Sequence, residues 1–245
     1  MNHILKTENL TIKYGEKEIL SNININISAG EFVGIIGPNG AGKSTLIKAI
    51  TDIIEVKEGN IIIDGINNKK ISKRELAKLV AVVPQEFSID FEFDAFDIVM
   101  MGRNPHKYGK IKDEANDAKV VREAMIMTNT WQFKERFFNQ LSGGERQRII
   151  IARAIAQQTK IILLDEPTSH LDIHHQLEVL ELARMLKEKH QITIVAVLHD
   201  INMASRFSDK LILLNDKSVM VYDEPEEVID EKYLTKVYDM EMIIR

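Results

Sequence analysis

The glycine-rich stretch GPNGAGKST at residues 37–45 limits what this chain can fold into more than any other part of the sequence. It follows the apolar run EFVGII and precedes GKSTLIKAI, which has the spacing of a helix. In a loop of this pattern the backbone N–H groups surround phosphates, Lys43 reaches the β- and γ-phosphates, and Ser44 binds Mg²⁺. An ordinary glycine-rich turn is the alternative interpretation. The predicted phosphate-binding residues are Gly37, Pro38, Asn39, Gly40, Ala41, Gly42, Lys43, Ser44 and Thr45.

A second apolar run, IILLDEP, ends in two adjacent carboxylates. Asp165 stands at the end of a predicted strand, where it can bind Mg²⁺, and Glu166 follows it directly. Two acidic residues at a strand end can also serve only as a turn or as a helix cap. Because the chain already has a phosphate-binding loop, we interpret the pair as part of the same site.

The stretch LSGGERQR places two glycines at the predicted start of a helix. Ser142 and Glu145 have the spacing of a capping box, which satisfies two N–H groups of the first turn. The capping box does not explain Gly143 and Gly144, since a glycine inside a helix costs about 1 kcal/mol relative to alanine. Glycine allows close approach of a ligand to the backbone, and a helix N-terminus favours anions. We therefore expect a second anion-binding segment here.

Composition excludes several classes of protein. The 245 residues are 44% hydrophobic and 28% charged, which is typical of a globular domain. A net charge of -5 argues against nucleic acid as a partner, and the absence of cysteine excludes disulfides and thiolate metal sites. The start MNHILKTENL shows no secretory signal, and the apolar runs are shorter than the roughly 18 residues that span a bilayer.

The hydrophobic pattern predicts an α/β fold with two kinds of strand. SNININIS alternates and indicates a half-buried antiparallel strand, whereas EFVGIIG, IILLDE and ITIVAVLHD are continuous apolar runs typical of a parallel core. Helices are predicted at GKSTLIKAI, DEANDAKVVREAMIMTN and HHQLEVLELARMLKEK. No core strand is evident within residues 84–158. We expect one domain over residues 1–245 with a helical subdomain inserted at 84–158.

Six motifs in this order resemble those of the nucleotide-binding subunits of ATP-binding cassette (ABC) transporters: KYG, GPNGAGKST, VPQE, LSGGERQR, IILLDEPTSHLD and VLHD. The resemblance covers nearly the whole chain. It implies a P-loop NTPase fold, hydrolysis of ATP with Mg²⁺, and two copies of the chain that close head to tail. In that arrangement Ser142, Gly143, Gly144 and Glu145 belong to a helix start that binds the γ-phosphate held by the other copy.

The resemblance also implies roles for single residues. Tyr14 stacks on adenine, unless it is only an aromatic residue at a strand end. Glu166 orients the attacking water, and His199 contacts the γ-phosphate, although a lone histidine is more often structural. Gln85 touches Mg²⁺ and the water, and Asp172 bridges to the second copy. The implied catalytic residues are Lys43, Gln85, Glu166 and His199, and the implied metal ligands are Ser44, Gln85 and Asp165.

The type of transporter is less clearly indicated. In the family, the region of FSIDFEFDAFDIVMMGRNPH forms a groove for a cytoplasmic helix of the membrane subunit, although its phenylalanines can equally form a small satellite core. Both MGRNPH and LDIHHQLEVLEL resemble importers of iron chelates, haem and cobalamin. The implied partners are membrane permease subunits and, indirectly, an extracytoplasmic substrate-binding protein, with the chain on the cytoplasmic face of the membrane. The groove residues are Phe87, Phe91, Phe93 and Phe96.

Two other functions and two structural questions stay open. The chain could serve an exporter, or it could be a soluble cassette protein of translation or DNA repair. The adjacent His174 and His175 suggest a metal site, but neighbouring helix positions face different directions, so we interpret both as surface residues. The segment NDKSVMVYDEPEEV lacks the glycines usual in relatives. Whether the C-terminal segment packs on the domain is therefore an open question.

Overall fold

The computed structural model describes residues 3–89, 91–107, 113–169 and 171–238. Within these residues ten strands form one six-stranded and one four-stranded sheet. The strands are β1 His3–Tyr14, β2 Lys17–Ser28, β3 Phe32–Ile36, β4 Glu58–Ile63, β5 Ile66–Asn67, β6 Val80–Val83, β7 Ile161–Asp165, β8 Thr193–Val197, β9 Lys210–Asn215 and β10 Ser218–Asp223.

The helices pack around these sheets, and in the described part of the chain none is both long and apolar enough to cross a membrane. Short 3₁₀ turns lie at Asn68–Lys70, Met101–His106, Trp131–Phe133 and Phe138–Gln140. The α-helices are α1 Lys43–Ile50, α2 Lys73–Leu79, α3 Ala95–Met100, α4 Glu114–Met127, α5 Gly143–Ala156, α6 Ile173–His190, α7 Ile201–Phe207, α8 Pro225–Val228 and α9 Glu231–Tyr238.

The six-stranded sheet has the order β10-β9-β3-β8-β7-β6, and its strands are parallel except for β10. Alternate residues face opposite sides, so Phe32 and Ile36 pack with α5, α6 and α7, whereas Val33 and Ile35 pack with α1 and the smaller sheet. Both faces are buried, which explains the continuous apolar runs. The prediction of a parallel core is confirmed, and the carboxyl ends of its strands meet at one edge, where ligands bind in such sheets.

The smaller sheet has the order β2-β1-β4-β5 and is antiparallel. Along SNININIS the isoleucines Ile23, Ile25 and Ile27 are buried and the asparagines between them are exposed. This confirms the predicted half-buried strand. The hairpin between β1 and β2 pairs Tyr14 with Lys17.

The segment between β6 and β7 is helical. Its described residues contain α3, α4 and α5, with one isolated bridge between Asp94 and Phe137. The buried Arg103 of MGRNPH donates from Nε to Asp117 Oδ1 at 2.8 Å and from Nη1 to the Ala156 carbonyl at 2.7 Å. This guanidinium therefore links the Met101–His106 turn to α4 and to the end of α5.

The C-terminal segment packs on the domain as far as residue 238, which answers the open question. The β9–β10 turn is made without glycine, since Asp216 and Lys217 adopt left-handed φ angles of 44° and 66°. Beyond β10, Val228 of α8 and Val237 of α9 are buried in the core that also contains α5 and α6. The apolar side chains of the short C-terminal helices thus hold this segment in place.

Candidate functional site

The loop at residues 37–45 closes around its own lysine. Lys43 Nζ donates to the carbonyls of Gly37 at 2.8 Å and Pro38 at 3.0 Å. Gly42 precedes α1 with a φ of 96°, and a Cβ there would lie 2.6 Å from Leu20 Cδ2. Only glycine fits this position without a shift of its neighbours. The turn predicted from GPNGAGKST therefore has backbone geometry that requires its glycines.

The carboxylate of Asp165 lies next to the start of α1. Ser44 Oγ donates to Asp165 Oδ1 at 2.8 Å. Burial raises the pKa of Asp165, with the Ser44 hydrogen bond acting in the opposite direction. Burial also lowers the pKa of Lys43, although the nearby charges of Glu166 and Asp165 oppose this. Desolvation disfavours the charged form of both groups. Such pKa shifts are typical of side chains that are arranged to bind a charged ligand.

These side chains fit a Mg²⁺ ion. A hydroxyl and a carboxylate oxygen 2.8 Å apart are the hard oxygen ligands that this ion prefers. Among the described residues no group of three or more His, Cys, Asp or Glu could hold a metal alone. A site of one carboxylate and one hydroxyl therefore suits an ion that takes its other ligands from phosphates and water.

Glu166 contacts three side chains at this edge of the sheet. Its Oε2 accepts from Gln85 Nε2 at 2.7 Å and from Ser169 Oγ at 3.1 Å. Its Oε1 lies 2.7 Å from His199 Nε2. The backbone of Glu166 has a φ of 50°, in the left-handed region that residues with a side chain rarely adopt. Such backbone strain is common at active sites. Three residues from three different loops thus fix one carboxylate.

A cleft of about 330 Å³ lies between the phosphate loop and Glu166. Tyr14 does not line this cleft and is 48% exposed. Its cross-strand partner Lys17 lines the cleft, so Tyr14 lies next to a residue of the cleft wall. The cleft is lined by Lys17, Ile19, Asn39, Gly40, Gly42, Lys43, Ser44, Thr45 and Glu166.

The LSGG segment forms the start of α5. Both bonds of the capping box are present, since Ser142 N donates to Glu145 Oε2 at 2.8 Å and Glu145 N donates to Ser142 Oγ at 3.4 Å. The first of these bonds lowers the pKa of Glu145. Among the described residues, a Cβ at Gly143 would meet only Leu171 Cδ2, at 3.9 Å. Neither Ser142 nor Gly143 lines the cleft beside the phosphate loop.

Gly144 packs closely against a second helix of the same chain. A Cβ there would lie 2.5 Å from Cδ2 of His175, so the imidazole ring occupies the space next to this glycine. Nδ1 of His175 also lies 2.9 and 2.8 Å from the two carboxylate oxygens of Asp172. The side chain of His175 is 33% exposed, in line with its interpretation as a surface residue, and its ring also packs against Asp172 and the first turn of α5.

Sequence reasoning did not identify Ser169, and it did not predict the contacts of His175. Ser169 has only the signal of standing three residues after Glu166, and His175 stands three residues after Asp172, the N-cap of α6. Both contacts lie in or next to the loop between β7 and α6. That loop connects the Glu166 cluster to the LSGG segment.

Comparisons with known proteins agree with this geometry. Residues 20–169 match the ABC transporter family. The chain is 39% identical to the petrobactin import ATP-binding protein FpuD of Bacillus anthracis, over 98% of this chain and 88% of the relative. It is 36% identical to the cobalamin import ATP-binding protein BtuD of Halobacterium salinarum, over 98% of this chain and 60% of the relative. A solved dimeric ATP-binding cassette with bound ADP and Pi is 35% identical, with a TM-score of 0.78 over 90% of this chain and 98% of that chain.

Proposed function

This chain belongs to the ABC transporter family and is an ATPase, and from this premise we propose that it powers a membrane importer of iron chelates of the siderophore, haem or cobalamin class. The similarity to petrobactin and cobalamin import ATP-binding proteins supports the import direction and the cargo class. The observation that carries ATP hydrolysis is the position of Glu166, held by Gln85 and His199 beside the phosphate-binding loop. Such a carboxylate is what hydrolysis of a bound phosphoanhydride requires.

We assign the steps of hydrolysis to the residues of this edge. The Lys43 ammonium stabilises negative charge on the γ-phosphate, and Glu166 orients the attacking water and accepts its hydrogen bond. His199 contacts the γ-phosphate. Ser44 and Asp165 would hold Mg²⁺, which would supply positive charge next to the bound phosphates.

The hydrogen bonds of Glu166 leave a position for the attacking water. Oε2 accepts from Gln85 and Ser169, and Oε1 faces His199. A carboxylate oxygen can accept two hydrogen bonds, so a water in line with the γ-phosphate can bind Oε1 without displacing these partners. Gln85 is exposed and lies outside the regular strands and helices. We therefore propose that Gln85 contacts this water while it stays bonded to Glu166, and that its own side-chain oxygen would be available to Mg²⁺.

We also propose the assembly in which this site works. Two copies associate head to tail, and Ser142, Gly143 and Asp172 of one copy meet the nucleotide bound by the other. The open face of Gly143 supports this, since in the described part of the chain only Leu171 comes within 4 Å of the position of its Cβ. We propose residues 84–158 as the helical subdomain that carries this helix start.

Replacing Ser142 with arginine tests the head-to-tail assembly. Ser142 is exposed, so the variant should fold and bind ATP, losing only the cap, which is worth about 1 kcal/mol. A bulky cation at the helix start should block ATP-driven dimerisation, measured by gel filtration with light scattering in Mg-ATP. Ser72→Arg is the matched control, because Ser72 caps α2 with the same kind of box. An intact ATP dimer of Ser142→Arg would contradict the assembly.

The aromatic segment after Gln85 supports contact with a membrane subunit through one residue in particular. Phe87 packs edge-on against Phe138, and Phe96 packs against Trp131, so both face the protein. Phe91 is 75% exposed. We propose that Phe91 enters the membrane partner's surface.

Phe91→Ala should leave ATP hydrolysis by the isolated chain unchanged and reduce transport by the assembled complex. The reason is that an exposed ring contributes little to folding but can anchor an interface. Transport per ATP hydrolysed in proteoliposomes is the measurement. Ile53→Ala is the control, since Ile53 is 66% exposed and lies outside this segment. Equal coupling in both variants would remove Phe91 from the interface.

The cargo is tested on the whole complex. Vesicles that contain the permease, this chain and the substrate-binding protein should take up labelled ferric siderophore, haem or cobalamin only when ATP is present on the side of this chain. Uptake of none of the three would overturn the cargo class. Movement of the label in the opposite direction would identify an exporter.

A further inference from the structure

Arg153 is a partly buried cation that the proposed mechanism does not use. It lies on α5, and no carboxylate of the described residues lies within 4 Å of its guanidinium nitrogens. Burial lowers its pKa, with no acidic group to oppose the shift. Removing a cation from water without an anionic partner costs free energy. Uncharged groups of the protein must therefore hold this guanidinium.

Two groups of the chain just before and after Gln85 hold this guanidinium. Its carbon Cζ lies 4.6 Å from the centre of the Phe87 ring, and Nη2 donates to the Val82 carbonyl at 3.4 Å. Of the cation–aromatic pairs found in the described residues, this one has the shortest distance. Val82 belongs to β6, and Gln85 lies between it and Phe87.

The backbone of Arg153 is also fixed. Gly102 packs so closely on it that a Cβ at residue 102 would lie 2.3 Å from the Arg153 carbonyl oxygen. The arginine thus cannot shift along its helix without displacing the Met101–His106 turn. It provides a fixed point against which the chain around Gln85 is held.

We propose that Arg153 is a positioning residue for ATP hydrolysis, because its guanidinium holds the chain on both sides of Gln85 and so sets the contact of Gln85 with Glu166. The proposal rests on the hydrolytic role assigned above to Gln85 and Glu166. The same helix begins beside Ser142, roughly 16 Å away at 1.5 Å per residue. One helix therefore holds both the contact to the second copy and the position of Gln85.

The planar guanidinium matters as much as its charge. Arginine can stack on an aromatic face and donate in its own plane at the same time, whereas lysine offers a single point charge. Methionine keeps the length and loses both contacts. The series Arg, Lys, Met therefore separates stacking from simple packing.

The experiment is steady-state ATP hydrolysis by the full chain and by its variants. Arg153→Met should lower kcat by roughly 10- to 100-fold, the scale of a small misplacement at a reacting centre. The KM for ATP should stay the same, because the phosphate loop is untouched. Arg153→Lys should recover part of the loss. Arg184→Met is the matched control, since Arg184 also stacks on a phenylalanine, Phe207, at 5.4 Å.

Phe87→Leu provides a second test in which Arg153 stays in place, should Arg153→Met fail to fold. It should lower kcat to the same degree, and the double variant should be no slower than the slower single one, because both changes break one contact. Unchanged kcat in Phe87→Leu, or effects of the two changes that multiply, would overturn the proposal. If Gln85→Ala loses activity and Arg153→Met keeps full activity, the positioning role of Arg153 is overturned and the hydrolytic role of Gln85 is not. Full activity in Glu166→Gln would instead overturn the assigned hydrolytic site.

Discussion

Replacing Lys43 with alanine is expected to abolish ATP hydrolysis. Its ammonium is buried among the carbonyls of Gly37 and Pro38, and burial lowers its pKa. A γ-phosphate offers this cation a stronger partner than two carbonyls do. Loss of one group that stabilises developing charge costs about 10²- to 10³-fold in rate. In this variant weaker ATP binding should add to that loss.

Phosphate release and thermal unfolding with and without Mg-ATP measure this prediction. ATP at 100 times its Kd should stabilise the parent chain by about 2.7 kcal/mol, and the gain should disappear in Lys43→Ala. Lys48→Ala is the control, because Lys48 is an exposed lysine on the same helix. Normal turnover by Lys43→Ala would show that residues 37–45 do not bind the γ-phosphate.

Local spacing was enough to predict the elements that position this site. The alternation in β2 and the continuous apolar runs of β3, β7 and β8 depend only on which faces are buried. The capping box of α5 depends on residues three apart. These features are properties of short segments, so a single sequence contains them.

Contacts between distant segments could not be predicted in the same way. Gln85 and Glu166 are 81 residues apart, and the parallel pairing of β6 with β7 brings them together. The close packing of Gly144 against His175, on another helix, is likewise a contact between distant segments. Such contacts depend on how helices and loops pack, which hydrophobic periodicity does not specify.

The turn between β9 and β10 shows a third limit of structure prediction from a single sequence. The missing glycine made the packing of the C-terminal segment an open question, yet Asp216 and Lys217 adopt the left-handed conformation themselves. Non-glycine residues can enter this region at a cost of about 1–2 kcal/mol. Burial of Val228 and Val237 can offset that cost. A local penalty therefore does not decide the outcome when nearby apolar burial is larger.

Replacing Glu166 with glutamine is expected to stop hydrolysis while leaving ATP binding intact. The glutamine carbonyl can still accept from Gln85 and Ser169, and its amide can donate to a neutral His199 ring. The geometry of the site should thus survive. What is lost is the negative charge that polarises the water, and positioned acid–base help contributes about 10²- to 10⁴-fold in rate. ATP should still draw two copies together, so a long-lived dimer with two ATP molecules should accumulate.

Gel filtration of Glu166→Gln in Mg-ATP, beside a steady-state phosphate-release assay, tests this expectation. Asp165→Asn is the contrasting variant: Asp165 bonds to Ser44 at the start of α1, so its loss should weaken Mg²⁺-dependent ATP binding as well as hydrolysis. Hydrolysis by Glu166→Gln at the parent rate would place the base elsewhere. Failure of Glu166→Gln to bind ATP would assign Glu166 to the metal site, since only a group that holds the nucleotide or its ion is needed before the chemical step.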